Sequence, residues 1–506
     1  MKKIVRRKLA EEKRRIERRL ENAVRVNSGA PVLSSANIEY EIADRTRAIA
    51  HGGIGVIQRV VKRSRLARRI DGKLDLLKIH KPYHESDHVL NIAYNALFGG
   101  QRLEDIELRR NDQVLLDALG TESLPDPTTA GDFCRRFDVA SIDALMEAIN
   151  EARLEVWRTQ PAEFFSETAR IDADASIVPT TGDCKEGMEI SYNGIWGYSA
   201  LMVSLANTGE ELYLVNHGAN RPSHEGVIPR FHQSIELCKR AGFRDILLRG
   251  DTDFSITTEF DRWNEDGVRF VFGYDAKANM VERAENAPDR LYHKLVRRAE
   301  REIQTQARTK REDVKDRIVR ERQFQTIRTK GEQVCEFAYR PVKCRDSYRV
   351  VTLRKNLSIE KGEEVLFDDV RYFFFITNDW TMTADEVVLE GRRRCNQENL
   401  ISQLKSGVRA LHAPVNTLHA NWAYMVMTSL AWNLKAWTAL LLPVHPRWAD
   451  VHKAQRRRLL TMEFRTFVAA LIHIPAQIVT TARKIRYRLL AWNEWQSALF
   501  RLASAL

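Results

Sequence analysis

The pattern of apolar and polar positions along the chain changes character several times. Apolar residues fall at helical spacing in "DHVLNIAYNALFGG" (87–100) and "QVLLDAL" (113–119), so residues 75–155 read as a helical region. In "LPDPTTAGDFCRRF" (124–137), Asp126 suits an N-cap and Pro127 the first helical position. The pattern then turns to alternation. "ARIDADASIV" (169–178) predicts a strand, and "GYSALMVSLANTGEELYLVNHG" (197–218) two strands joined by a turn at Asn207–Gly209. A helix ending at Gly242, a short strand in "FRDILLRGD" (243–251), a helix in "ITTEFDRWNEDG" (256–267) and a strand in "VRFVFGYD" (268–275) follow. The expected order is therefore three strands, helix, strand, helix, strand.

Residues 280–330 are highly charged and rich in Arg, and "EQVCEFAYRPV" (332–342), "DSYRVVTL" (346–353) and "VRYFFFITND" (370–379) read as strands. One helix is expected from about Thr383 through "GRRRCNQENLISQLKSG" (391–407), and the remainder of the chain reads as helical. The longest apolar candidate, "WAYMVMTSLAWNLKAWTALLLPV", is interrupted by Asn433 and Lys435. It reads as a buried helix rather than the ~18–20 residue span a bilayer requires.

Charge adds a direction. Lys plus Arg is 80 against 68 Asp plus Glu, a formal net charge of +12 over 506 residues. That excess favours a polyanionic partner, nucleic acid foremost. Residues 1–20 hold ten Lys or Arg against three Glu, as a charged helix or a loose arm, with no apolar signal-peptide core. Arg135 and Arg136 end a short helix that reads either as a DNA-contacting helix or as part of a plain bundle. The six Cys are scattered without a CxxC, which argues against a zinc ribbon or redox motif and fits a reducing cytoplasm.

Three acidic positions stand out. Asp172 and Asp174 share one strand face; a cation between them and an exposed edge are both open readings. Asp251, with Asp253 two residues on, follows the apolar run "ILL", where a buried strand ends and ligands of α/β folds gather. Glu398 falls on one helical stripe with Arg394 and Lys405; the plain alternative is a surface ion pair worth ~0.3–0.5 kcal/mol. Acids on a first strand, at the end of a fourth and on a later helix can converge on two divalent metals, which clamp the attacking and leaving oxygens of a phosphoryl transfer. No P-loop is present, and His217 and His224 read as part of a polar loop.

The motifs "DADAS", "NGIWGYSALMV", "HGANRPSHEG", "LLRGDTDF" and "RCNQENLISQLKSG", spanning roughly 170–410, resemble those of bacterial insertion-sequence DDE transposases. The resemblance is to members with a β-rich insertion, in particular the thirteen-eighty insertion-sequence family of the IS4-like clan. It implies an α/β ribonuclease-H-like core, with the insertion between the second Asp and the Glu and helical regions at both ends. The implied divisions are a helical DNA-binding region (1–160), the first part of the core (165–275), a basic helical and β-rich insertion (276–378), the catalytic helix (379–412) and a helical C-terminal region (413–506). It implies that Asp174, Asp251 and Glu398 form the metal-binding triad, with Asp172 the alternative first acid, and that two Mg2+ or Mn2+ ions are used.

The family's helix signature, Tyr-x2-Arg-x3-Glu-x6-Lys, is met by Arg394, Glu398 and Lys405, whereas Gly391 stands in the Tyr place. Trp380 is a candidate for stabilising a flipped base. The resemblance further implies DNA as partner (terminal repeats and target), a homodimer in the working complex, no membrane association and a bacterial cytoplasmic, nucleoid-associated location. A ribonuclease-H-like nuclease without strand transfer and a catalytically dead DNA-binding protein are the alternatives.

Overall fold

A computed structural model describes residues 3–25, 38–40, 46–80, 82–182, 184–295, 314–361, 364–481 and 484–506. Much of the basic run expected at 290–330 lies outside the described residues. Its described part includes the helix Val314–Glu321. The N-terminal basic segment is a helix, Lys3–Arg25.

The centre is a ten-stranded mixed sheet. Its strands are β2 (Ala169–Pro179), β3 (Glu189–Ile190), β4 (Trp196–Leu205), β5 (Glu210–Gly218), β6 (Ile246–Gly250), β7 (Arg269–Tyr274), β8 (His293–Lys294), β9 (Gln325–Tyr339), β10 (Tyr348–Lys361) and β11 (Glu364–Thr377). β4 pairs antiparallel with both β2 and β5, while β2–β6 and β6–β7 are parallel. The five long strands before residue 275 thus lie side by side as β5, β4, β2, β6, β7, with the helix Val227–Ala241 crossing over between β5 and β6. The expected order of three strands, helix, strand, helix, strand is realised.

β6 is buried along its length, as a parallel strand covered on both faces must be. Alternation divides its apolar side chains between two clusters. Leu247 and Val271 pack with Val387 and Val388 of the helix Ala384–Arg393. On the other face Phe272 meets Phe231 of the crossover helix and Trp263 of the helix Phe260–Glu265. The result is a helix–sheet–helix sandwich.

The strands expected at 332–342, 346–353 and 370–379 join the central sheet: β11 pairs antiparallel with β7, so β9–β11 extend it. The C-terminal region is not wholly helical. β12 (Ala476–Thr481) and β13 (Lys484–Leu489) form a hairpin that adds to β1 (Ala48–Ile49), and the alternating, β-branched "QIVTT" and "KIRYRL" supply the strand signal. Finally, the two helical ends of the chain share one core. The helix Leu418–Leu440 is buried almost throughout, and its apolar residues fall in the same cluster as Val89, Ile92 and Ile149.

Leu418–Leu440 carries most of the long apolar run; no helix among the described residues is long and apolar enough to cross a membrane. Lys435 within it donates to the Leu460 carbonyl at 2.7 Å and sits 3.9 Å from the Trp432 ring centroid, and burial pulls its ammonium down to about 7. Asn433 donates to the Glu211 carbonyl at 3.1 Å. Both interruptions of the apolar run thus donate to backbone carbonyls inside the protein.

Candidate active site

Parallel pairing of β2 with β6 puts Asp172 opposite Arg249. Two residues further along each strand come Asp174 and Asp251, so neighbouring strands deliver the two acids to the same end of the sheet. This is where the order reverses, β4 and β5 lying to one side of β2 and β6 and β7 to the other. Such reversal points open a crevice at the strand ends.

Asp172 and Asp174 have different surroundings. Asp172 is 1 % exposed and is gripped at two points by Arg249, at 2.6 and 2.8 Å. Arg249 also donates to Glu390 at 2.8 Å, and Glu390 receives Arg170 at 3.1 Å and Arg393 at 2.7 Å. Both oxygens of Asp172 are thus spent on a buried ion pair. Asp174 keeps one oxygen on its neighbour's backbone, accepting from the Ala175 N–H at 2.8 Å, while the other lies 3.1 Å from Arg394 Nη1. Burial pushes the Asp174 carboxyl up to about 6. Arg394 draws it down, and the negative charges of Asp251 and Glu398 add to the rise.

Asp251 caps the short turn Thr252–Phe254, accepting from the Asp253 N–H at 3.1 Å. Burial holds its carboxyl above the ordinary carboxylate range; Arg394 opposes this and Asp253 reinforces it. Arg394 therefore acts on both acids. Ser223, in the loop after β5, donates to Asp253 and brings that loop onto the Asp251 turn. His217, at the end of β5, bonds through Nε2 to the Glu225 carbonyl at 3.0 Å, in keeping with a polar-loop role.

The third acid arrives on an interrupted helix. The expected continuous helix breaks at Arg394, between Ala384–Arg393 and Cys395–Ser402, and ends in a wide turn at Gln403–Gly407. Gly391 in its last turn weakens the first segment, and Arg394 at the junction is turned to Asp174. Glu398 is exposed and has no hydrogen-bond or ion-pair partner among the described residues. Beside it, Gln397 is 2 % exposed and bonds to Ser204 and to the Met202 carbonyl of β4, fastening the helix to the sheet.

Lys405 lies in the wide turn, which displaces it from the straight-helix stripe. Burial draws its ammonium downward, and among the described residues it has no acidic partner. Gly391 has a packing reason: a Cβ there would lie 2.5 Å from Phe375 Cε1.

The donor set fits a hard divalent cation: carboxylates alone, mutually repulsive, at the mouth of a crevice. Their oxygens do not all come within 4.8 Å of one another, and Arg394 supplies the positive charge between them. Other expected residues lie apart from this group. Arg135 donates to Asn416 at 2.8 Å and Asp132 at 2.6 Å, and Arg136 to the Leu76 carbonyl at 3.2 Å. Their helix, Pro127–Arg135, carries the expected cap, with Asp126 accepting from Thr129 N–H at 2.8 Å, and buries Phe133 and Cys134. Trp380 is 57 % exposed, in the turn after β11 that Asp379 organises.

Arg249, Glu390 and Gln397 were missed by sequence reasoning. An Arg inside the apolar run "ILLRG" does signal a buried acidic partner, but nothing in the sequence says which acid meets it.

Residues 35–506 match the family described as transposase DDE domain group 1. The chain belongs to this family. No curated protein matches the sequence of this DDE-domain transposase. Among solved structures, it is similar to the piggyBac transposase synaptic complex with hairpin DNA, determined by cryo-EM. The TM-score is 0.36 and the identity 10%, over 84% of this chain and 82% of that chain.

Proposed function

We propose that this chain excises and inserts an insertion sequence by cut-and-paste, and that Asp174, Asp251 and Glu398 are its metal-binding residues within a ribonuclease-H-like core. The observation that carries the reading is that Asp174 on β2 has Asp251, from the end of the adjacent parallel strand, and Arg394 and Glu398, from the helical segment, as its charged neighbours. The strand arrangement β5, β4, β2, β6, β7 supports the ribonuclease-H-like assignment. The two-point pairing of Asp172 with Arg249 favours Asp174 as the first acid.

Asp174, Asp251 and Glu398 would hold two Mg2+ or Mn2+ ions, which would supply Lewis-acid charge to the phosphodiester. The protein's own part begins with charge: burial raises the proton affinity of Asp174 and Asp251, so both carboxylates favour a neighbouring positive charge. Arg394 then exchanges Asp174 for a phosphate oxygen, which a guanidinium can hold at two points. Lys405, which has no acidic partner among the described residues, contributes a second phosphate contact. Gln397 holds the helix to β4 so that Glu398 faces the strand ends.

Water attacks first at the element end, and the freed 3′-hydroxyl then attacks target DNA, so no Ser or Tyr nucleophile is required. DNA is the partner. Residues 1–160 with Arg135 and Arg136, the basic segment around 290–330 and exposed Trp380 are assigned to DNA contact. Joining two element ends calls for two copies of the chain.

The test is strand transfer from precleaved element ends in Mg2+. Joined product supports the transposase reading; nicking of intact ends without joining favours a nuclease.

A further inference from the structure

A second cluster of ligand-type side chains lies far along the chain from the acids. His80, His84 and Glu85 stand before and at the start of the helix Glu85–Leu97, and one ligand atom from each lies within 4.8 Å of the others. Glu85 is 1 % exposed. Its Oε1 accepts from the Leu76 and Leu77 backbone N–H groups, each at 3.1 Å, while Oε2 faces His80 Nδ1 at 3.2 Å. Burial alone raises this carboxyl, but the backbone donors outweigh it and hold it below the ordinary range, so it is ionised. The rings of His80 and His84 stack at 5.4 Å with 14° between their planes.

We propose that His80, His84 and Glu85 form a site for a borderline transition-metal ion, zinc by preference, separate from the acidic centre. Two imidazoles and one carboxylate are a three-ligand set that leaves a fourth position for water. Bonds of ~2.1 Å at a tetrahedral centre set ligand atoms ~3.4 Å apart, close to the existing spacing of His80 Nδ1 and Glu85 Oε2. Nitrogen donors select zinc, cobalt or nickel over magnesium. The backbone bonds to Glu85 Oε1 orient the carboxylate in advance, as outer partners of metal ligands do. His88, one turn on, is not part of the set: it stacks on Phe133 at 4.4 Å inside the core.

The segment the ion would fasten, between Leu77 and Glu85, also forms a wall of a cavity of about 940 Å³ through Pro82 and Tyr83. Lys62, Arg65, Arg68 and Arg109 line the same cavity. Metal binding would fix the position of that wall.

The test uses the full chain without a His tag, in millimolar Mg2+ so that carboxylate-only sites are occupied. Co2+ is titrated by its visible absorption and then displaced with Zn2+. One equivalent is expected, with tetrahedral band intensity. His80→Ala and His84→Ala, at exposed positions, should each weaken uptake at least ~10-fold while leaving the metal-free melting temperature unchanged. Failure of the wild-type chain to take up either metal, or wild-type affinity in both variants, would overturn the proposal.

Discussion

Arg394 Nη1 lies 3.1 Å from Asp174 Oδ2, joining the start of a helix to the first core strand across 220 residues of sequence. The same guanidinium lowers the proton affinity of Asp251. It thus occupies the position of positive charge among the proposed metal-binding carboxylates.

The first prediction concerns pH. The Asp174 carboxyl is raised from its ordinary 3.8 to about 6, so the folded state holds the proton more tightly than the unfolded chain. Stability from this group is therefore greatest below the ordinary value and falls as pH rises through about 6. A divalent cation relieves the loss only where the carboxylate is ionised. The melting-temperature gain on adding Mg2+ should be clear at pH 7.5 and absent at pH 5, and Asp174→Asn should abolish it. An equal gain at both pH values would contradict the assignment.

Asp172 and Asp174 should respond differently to the same change. Asp172→Asn removes the two-point partner of Arg249 in a buried site, which typically costs ~3–5 kcal/mol. Asp174→Asn removes the single ion pair with Arg394, keeps an oxygen for the Ala175 N–H, and should leave the fold near wild-type stability. Thermal or denaturant unfolding distinguishes them; an Asp172→Asn chain of wild-type stability and no activity would make Asp172 the first acid instead.

Much of this arrangement is legible in the sequence, and the parts that are not have a common cause. Alternation and caps locate β2, β4–β7 and the helix capped by Asp126, because those signals are local. The spacing of Arg394, Glu398 and Lys405 is local as well. Whether Asp172 or Asp174 faces the crevice depends on Arg249, a residue 77 positions away. The joining of β11 to β7 and the shared core of the two chain ends are likewise non-local. The β12–β13 hairpin had a local signal in "QIVTT" and "KIRYRL" that surrounding helices obscured.

Gly391 should resist the aromatic residue that stands there in the family's signature. Phe375 occupies the space of its Cβ, so Gly391→Tyr is expected to destabilise by at least the ~1–3 kcal/mol of an overpacked core. Phe375→Ala in the same chain should recover part of the loss. A Gly391→Tyr chain that melts with the wild type would show that the ring moves freely.

Lys405→Ala should weaken DNA binding across sequences, without altering which sequence is preferred. If it neutralises one phosphate, the slope of log affinity against log salt becomes shallower by ~1. Affinities measured over a range of NaCl concentrations would show this; an unchanged slope would leave Lys405 with a packing role alone.

The central claim is that Asp251 and Glu398 serve cleavage rather than DNA binding. Its most direct measurement is Mg2+-dependent cleavage of a labelled element end by the wild type, Asp251→Asn and Glu398→Gln, with binding of the same DNA measured in parallel. Both variants should bind within a few-fold of wild type, by the argument that metal ligands are not the main phosphate contacts, and should lose at least ~100-fold in cleavage, the scale of losing one preorganised charge contact. Cleavage at the wild-type rate by either variant would contradict the account.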